Sequence, residues 1–508
     1  MQFMDKNAVM ISRRIISLIL VLAMIFALCS CAKSNDDFDG KRFGTTRHIT
    51  VMVGQESDIE SKCAQYIHDS VLNELNIDVT YVVADQYDLV KGTSPDISYL
   101  DMYNTITTYY RMNSVVNIAP YLMQYSDSLT DLTTLLGDEN IYSCTDNASE
   151  VWYLSPMNTD PKARVTFIRS DWLDKLGLHA PSTMEEFYNC LVAFRDNADL
   201  LLGDDSDQMI PLFIDGDPSL SAKPLFDSMY DPDISDKDLY VNGYNRATQQ
   251  GYRDGLRILN NWYLEGLISS DFYNVRPYTR ETYEAIENGY VGAFCAKYDF
   301  LYKNGNDSHI NALHGACGDQ ADYVAVNTFE NSKGEYTSWQ EDYLDEEGIK
   351  IYIPATCSDP LACLVYLNWI SDSQNITEVQ NLCDSSAYEN LLLTCNGMYP
   401  NGYLEGVPGA DQARDVAMSV RNVRYGNKCV NYNPFAFEYV DTDVDLNAIY
   451  PDSTRKFACS VIRSPEGEFD SVYSEKTDEY IRSGAYYIYI IRDKEWEKVV
   501  VNGDLNPW

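Results

Sequence analysis

A protein that holds a polar, flat-faced molecule such as a sugar ring needs two kinds of side chain. Aromatic rings stack on the flat face, and Asp, Glu, Asn, Gln or Arg groups make paired hydrogen bonds. In α/β sheets such groups come from loops just past the carboxyl ends of strands. This chain of 508 residues carries 40 Tyr, 17 Phe and 7 Trp. Tyr in particular joins an apolar ring to a polar tip. Candidates fall where strand-like runs stop: Gln55 and Glu56, then Asp101 and Tyr103, then Trp152 and Tyr153 in mid-chain. Lys297, Tyr298, Asp299 and Phe300 follow a later run, and Trp339 sits in an acidic stretch. Each has a competing structural role. Trp152 suits a core, Gln55 and Glu56 suit a solvated loop, and many Tyr replace Phe in a damp interior.

Other chemistries find less support. Glycoside hydrolysis needs two facing carboxylates, and with 77 Asp and Glu any chosen pair is meaningless. There is no G-x-S-x-G elbow and no H-E-x-x-H. The five His are His48, His68, His179, His309 and His314, and His309 and His314 do not share a helix face at the usual metal spacing. Asp231-Pro232-Asp233 and Asp441 to Asp445 are Asp-rich, but no D-x-[DN]-x-[DN]-G loop is present. No catalytic residue, metal site or cofactor is assigned.

The elements that must position these residues are mixed α and β. His48–Val53 and Ile77–Val83 read as strands. Between them Ile59, Cys63, Ile67, Val71 and Leu75 recur every four positions, as on a helix face. Pro95–Leu100 reads as a third strand, with a Tyr-rich helix after it. Val165–Ile168 reads as a strand. Ser170 or Asp171 is placed to cap a short helix carrying Trp172, Leu173 and Leu176, closed by Gly177. Ser182 with Glu185, or Thr183 with Glu186, makes a capping box before Phe187, Leu191 and Phe194. Tyr252, Leu256, Leu259 and Tyr263 mark a helix ending at Gly266. Glu281–Asn288 reads as a helix and Gly289–Cys295 as a strand. Ile349, Ile351 and Ile353 alternate, and Pro360 starts a helix, where proline is tolerated. The stretch 315–348 reads as an acidic loop, and Tyr486–Arg492 with Trp496–Val501 as a late hairpin.

The N-terminus bears on compartment. Arg13 and Arg14 precede a run from Ile15 to Leu28 that is apolar apart from Ser17. At about 14 residues it is short for a spanning helix, which needs roughly 20, although a single anchor helix is the alternative. It has the form of a secretory signal over residues 1–30. Leu28-Cys29-Ser30-Cys31 looks like a bacterial lipobox, which implies a diacylated Cys31 after cleavage. Cys29 fits less well, because bulky Leu28 would occupy its cleavage position. Met10 is a second candidate start. Residues 31–46 are expected to be a lipidated flexible tether.

The net charge is −39; Asp5, Lys6, Arg13 and Arg14 give the leader +2, so the rest stands near −41. Such a chain offers no basic face to nucleic acid. Thirteen Cys are present without any C-x-x-C pair. Most are expected to be buried thiols, with room for one or two bridges.

One block is more specific. Arg169-Ser170-Asp171-Trp172-Leu173-Asp174-Lys175-Leu176-Gly177-Leu178, followed by Pro181, Thr183, Glu186 and Phe187, resembles the signature of family 1 extracellular solute-binding proteins. These are the lipoproteins of carbohydrate ABC importers, here of the Firmicutes type. Weaker blocks fall in the family's order: Val151–Pro156 before the signature, then Leu259–Ile268, Glu287–Phe294 and Leu367–Asp372 after it. The resemblance covers about 47–375. The family's usual Gly-rich late motif is not placed after Asn375, and the tail to Trp508 is not aligned.

The resemblance implies an α/β, two-lobed periplasmic-binding-protein-like fold of type II, with a multi-crossing hinge and a cleft that closes over ligand. Lobe 1 would hold 47–164 and 345–395, and lobe 2 165–344 and 396–508. The implied function is binding of a carbohydrate, an oligosaccharide by expectation, and its delivery to ABC importer permease subunits. The protein would act as a monomer on the outer face of the cell membrane, held by its N-terminal lipid alone. Tyr298 and Phe300 match the type of cleft aromatics in related sugar binders. A binder of peptides or other small solutes, or a secreted glycoside hydrolase, is the alternative.

Overall fold

The computed structural model describes residues 37–482, except 86–87, 101–111, 138–140, 142–149, 157–160, 162, 236, 239–245, 278, 341–348, 383–392, 394, 397–398, 401 and 425–445, together with 489–490 and 493–494. Among the described residues no helix is long and apolar enough to cross a membrane.

The first sheet is built from a βαβ unit. Strand β1 (Arg47–Val53) pairs in parallel with β2 (Ile77–Val83), from Arg47 opposite Ile77 to Val53 opposite Val83. The helix between them, α1 (Lys62–Leu75), starts where the Ser61 side chain accepts the Ala64 N–H. It ends at Asn76, whose left-handed backbone (φ 62°) turns the chain into β2. Cys63, Ile67 and Val71 are its buried stripe. Strand β3 (Ser98–Leu100) adds on the far side of β1 through a parallel bridge from Val51 to Ile97. All of this forms one hydrophobic core, drawn from residues between Phe43 and Leu154 and between Ile349 and Leu393.

The second sheet contains β4 (Arg164–Arg169), β5 (Ile210–Leu212), β6 (Val291–Lys297) and β7 (Tyr323–Val326), in the order β5-β6-β4-β7. β5 and β6 are parallel, and β4 runs antiparallel to both β6 and β7. β4 is buried on both faces: Val165 and Phe167 face one core, and Ile168 faces another. This explains why it reads as an unbroken apolar run rather than an alternating one. Beside it, Gly292 permits close packing, since a Cβ there would lie 2.6 Å from the Phe194 ring and 2.8 Å from the Pro211 carbonyl oxygen.

The signature block forms β4 and the helix α2 (Ser170–Leu176). Its cap differs from expectation. Arg169 is the cap residue, and its side chain makes no capping bond to the helix backbone. Asp171 instead accepts two bonds from Arg169, at 2.7 and 2.8 Å. The Arg169 guanidinium also donates to the Gly289 carbonyl at 2.7 Å and lies 4.5 Å from the Trp172 ring. A buried cation must be paired, and that need decides the use of Asp171. The next helix, α3 (Met184–Asp196), is capped by Thr183 accepting the Glu186 N–H, while the Glu186 carboxylate accepts from the Ser182 N–H and hydroxyl.

Two further helices, α4 (Lys223–Met229) and α5 (Gln250–Leu264), cover this sheet. The stretch 315–348, expected to be a loop, contains β7 and a further strand, β8 (Thr337–Gln340). β7 is too short for its alternation to show in the sequence, and pairing with β4 makes it a strand. The chain then returns to the first sheet as β9 (Lys350–Tyr352), antiparallel to β3. The helix α6 (Pro360–Ser371) is buried on almost every side, with Asp359 capping it through the Ala362 N–H. A later helix, α7 (Pro408–Ser419), packs on the second sheet.

Among the described residues the chain passes between the first core and the other two three times: between Leu154 and Ala163, between Phe329 and Ile349, and between Leu393 and Leu404. Late residues Phe457 to Tyr480 belong to the core around α5. There buried Asn260 donates to the carbonyls of Ile462 and Ser464, both at 2.8 Å.

Two expectations are corrected at the ends. Within the segment read as a flexible tether, residues 37–46 are docked. Phe43 is 1% exposed in the first core, Phe38 packs on it, and Asp37 pairs with Arg47 at 2.6 Å. Two Phe five residues apart supply enough apolar area to order a polar, Gly-containing segment. Of the expected late hairpin, the described residues Tyr489, Ile490, Asp493 and Lys494 are helical.

Candidate functional site

Strand direction locates the site. In the second sheet β5, β6 and β7 all end at the edge where β4 begins, with Arg164 opposite Lys297 and Thr166 opposite Val326. In the first sheet β1, β2 and β3 end where β9 begins, with Lys350 opposite Leu100. Both strands that enter from a crossing, β4 and β9, start at a carboxyl edge with a basic residue. Such edges are where open α/β sheets bind ligands.

At the second sheet's edge a small polar recess opens between the start of β4, α4, the end of β7 and β8. Arg164, Lys223, Asp227, Asn327, Thr328 and Ser338 are among its walls. Its volume is about 20 Å³, room for one or two waters. Thr328 and Ser338 are 2% and 4% exposed, and their hydroxyl oxygens have no hydrogen-bond partner within the protein. Buried hydroxyls are normally paired, so two unpaired ones beside one recess leave hydrogen-bonding capacity unused at this edge. Around them the groups are spent. Lys223 pairs with Asp227 and donates to the Trp339 carbonyl at 2.7 Å. Asn327 donates to the Ser419 hydroxyl at 2.8 Å.

Just past β5 on the same edge, Asp215 accepts the Asp217 N–H at 2.8 Å. Burial pushes its carboxyl up to about 6, with Arg164 acting in the opposite sense. Asp217 is held by Arg455 at 2.9 Å. Past β6, Asp299 keeps one buried carboxylate oxygen without a partner. The edge therefore combines hydroxyls, carboxylates and cations, groups that exchange hydrogen bonds with polar solutes. Among the described residues no group of three or more His, Cys, Asp or Glu is placed to hold a metal. In the Asp-rich turn, Asp231 accepts the Asp233 N–H and Asp233 pairs with Lys333; Asp441–Asp445 lie outside the described residues.

The residues named from sequence are scattered. Gln55 and Glu56 are exposed at the end of β1, where Gln55 caps a single helical turn and bonds Asp58 at 3.2 Å. Asp101 and Tyr103 lie outside the described residues. Trp152 is half-buried against the first core, and Tyr153 is within it. Tyr298 and Phe300 are 4% and 8% exposed in a third core. There Phe300 stacks on His309 at 4.4 Å and meets Phe294 edge-on at 5.5 Å. Trp339 is buried and donates its indole N–H to the Asp227 carbonyl at 3.0 Å. The structure thus gives Tyr153, Tyr298, Phe300 and Trp339 packing roles instead of free stacking faces: all four are buried, Trp339 within β8 itself. Trp339 nonetheless flanks the recess through its bonds to Lys223 and Asp227.

Thr328, Ser338, Arg164 and Asp215 were missed. Asn327-Thr328 directly follows β7, so the strand-end rule that selected the other candidates would have reached it had that strand been legible.

No protein-family model and no curated protein matches this sequence. Solved structures do match. A human-milk-oligosaccharide-binding solute-binding protein of an ABC transporter from Bifidobacterium longum infantis has a TM-score of 0.57 at 14% identity, covering 89% of this chain and 99% of its own. The Streptococcus pneumoniae (S. pneumoniae) ABC-transporter substrate-binding protein FusA, in complex with kestose, has a TM-score of 0.57 at 15% identity, covering 90% and 100%. An alginate-binding protein, AlgQ2, has a TM-score of 0.51 at 14% identity, covering 89% and 98%. The chain has the two-lobed α/β fold of these solute-binding proteins over nearly their whole length.

Proposed function

We propose that this protein is an extracytoplasmic receptor that captures a carbohydrate between its two lobes and presents it to an ABC importer, without transforming it. The observation that carries this reading is the pair of buried, unpaired hydroxyls of Thr328 and Ser338 at a carboxyl edge beside Arg164. The fold, shared with proteins that bind oligosaccharides, supports it. Lobe 1 is read as 47–164 with 345–395, preceded by the docked segment from Asp37, and lobe 2 as 165–344 with 396–508. A recess with room for one or two waters is a subsite rather than a whole sugar site. The opposing wall would come from the first sheet's edge, where Gln55 and Glu56 are exposed, and hinge closure would complete the enclosure.

The signal-like start and Cys31 support a lipid anchor, with two acyl chains holding the protein on the membrane. The strongly acidic body, at −39 for the whole chain, would be repelled by an anionic membrane surface, which favours a monomer standing off on its N-terminus.

A thermal-shift screen against oligosaccharides tests the proposal. A cognate ligand at 100 times its Kd stabilises the folded state by about 2.7 kcal/mol. Stabilisation by a glycan with no product on prolonged incubation is the expected result. Shifts with a peptide library and none with glycans would replace the carbohydrate by a peptide, and glycan turnover would replace the receptor by a hydrolase.

A further inference from the structure

Two thiols on the first lobe stand in contact. The Cys357 and Cys363 sulfurs are 3.7 Å apart. Both are free cysteines, and both backbones are held in place. Cys357 sits in the turn after β9 and donates its N–H to the Pro354 carbonyl at 2.9 Å. Cys363 lies in the first turn of α6, which Asp359 caps through the Ala362 N–H and Pro360 opens. The Asp359 carboxylate also pairs with Arg47 of β1 at 3.2 Å. A disulfide needs the sulfurs at about 2.05 Å. The remaining approach of the 3.7 Å pair would come from side-chain rotation, and Cys357, the partly exposed member, has the freer side chain.

We propose that Cys357 and Cys363 form an intramolecular disulfide that ties the turn after the crossing strand β9 to the start of α6. The proposal uses the extracytoplasmic, oxidising location read above, but the pairing itself rests on geometry.

The chemistry is thiol–disulfide exchange with a small-molecule disulfide as oxidant. The Cys357 thiolate attacks one sulfur of that disulfide, forming a mixed disulfide and expelling one small thiol. The Cys363 sulfur then attacks Cys357 Sγ, the protein disulfide forms, and the second small thiol leaves. Two protein thiols are oxidised, one small disulfide is reduced to two thiols, and no other reactant is needed. Accessibility fixes the order, since Cys357 is partly exposed and Cys363 is fully buried. The Cys363 thiol is held well above its usual range, first by its hydrogen bond to Cys357 and then by burial. The bond would close a ring that already has its native shape, so it should stabilise this corner rather than rearrange it.

The test uses the full chain, incubated natively with oxidised glutathione, alkylated, and digested without reduction by a protease that cuts before Asp. Cleavage before Asp359 separates Cys357, in fragment 345–358, from Cys363, in fragment 359–371. The expected result is these two fragments joined and two hydrogen masses lighter than their sum, with reduction releasing both. C363S should instead accumulate glutathione on Cys357. Separate fragments, each alkylated, would overturn the proposal, as would either cysteine joined to a different one, or the wild-type chain stopping at glutathionylated Cys357. Because this readout involves no carbohydrate, its failure is distinguishable from failure of the receptor reading.

Discussion

Leu154 and Ile351 exchange both of their backbone hydrogen bonds, each at 2.8 Å. Leu154 stands just before the first crossing of the chain and Ile351 just after the second, so two crossing segments are zipped into one antiparallel ribbon. Ser155 adds a side-chain bond to the Ile349 carbonyl at 3.1 Å in the same place. Bending between the lobes has to respect this ribbon, since breaking it would leave buried backbone groups unpaired.

Ser155→Ala removes the hydroxyl from that ribbon. Ser155 is 8% exposed, so the Ile349 carbonyl loses a partner it cannot replace with bulk water. A loss of about 1 kcal/mol in urea unfolding is expected. No loss would show that the backbone pair carries the junction alone.

Thr328→Val and Ser338→Ala should have opposite effects on stability and on binding. In the free protein each removes a buried hydroxyl without a partner, so stability should hold or rise by about 1 kcal/mol. Bound carbohydrate should lose one hydrogen bond per substitution, weakening affinity by roughly 2- to 12-fold. Calorimetric titration beside thermal melting checks both. Unchanged affinity in both variants would remove this recess from the binding site.

Asp215 predicts a pH signature. Its carboxyl is raised to about 6 by burial, above the value near 3.9 of an unfolded Asp. Between those two values the folded chain holds a proton that the unfolded chain has released. This contribution is therefore fully present below about pH 4 and is lost as pH rises through about 6. It amounts to about 2–3 kcal/mol. The Asp215→Asn variant should be more stable than wild type at pH 7, with the difference shrinking towards pH 4. A difference independent of pH would show that Asp215 titrates normally.

Phe43→Ala tests whether the segment before β1 is part of the fold. The ring is 1% exposed, and the Phe43 N–H donates to the Leu75 carbonyl at 3.0 Å. Truncation should cost about 3–5 kcal/mol, read from denaturant midpoints at unchanged slope. A free tether would show no change.

Much of the fold was legible because it depends on local pattern. The four-residue recurrence of Cys63, Ile67 and Val71 marks α1. The run Val165–Ile168 marks β4, and Pro360 marks the start of α6. Each follows from which side chains a helix or strand presents to one face. The site was less legible. Phe300 looks like a stacking platform in sequence, yet it is covered by Tyr283, Phe294 and His309. Asp171 looks like a cap, yet the buried guanidinium of Arg169 claims it. Phe300 is covered by packing neighbours, and Asp171 is taken by a cation two residues away that burial requires to be paired.

Taken alone, the amino-acid order determines the alternation of strands and helices, the acidic charge, the signal-like start and the block at Arg169–Leu178. These are properties of neighbouring residues, and periodicity or capping expresses them before any long-range contact forms. Only the tertiary structure decides that Arg164, Lys223, Thr328 and Ser338 share one recess, and that Cys357 touches Cys363. Those meetings depend on strand order and on three crossings of the chain, because a loop's partners are set by which edges the sheets bring together and not by the residues beside it.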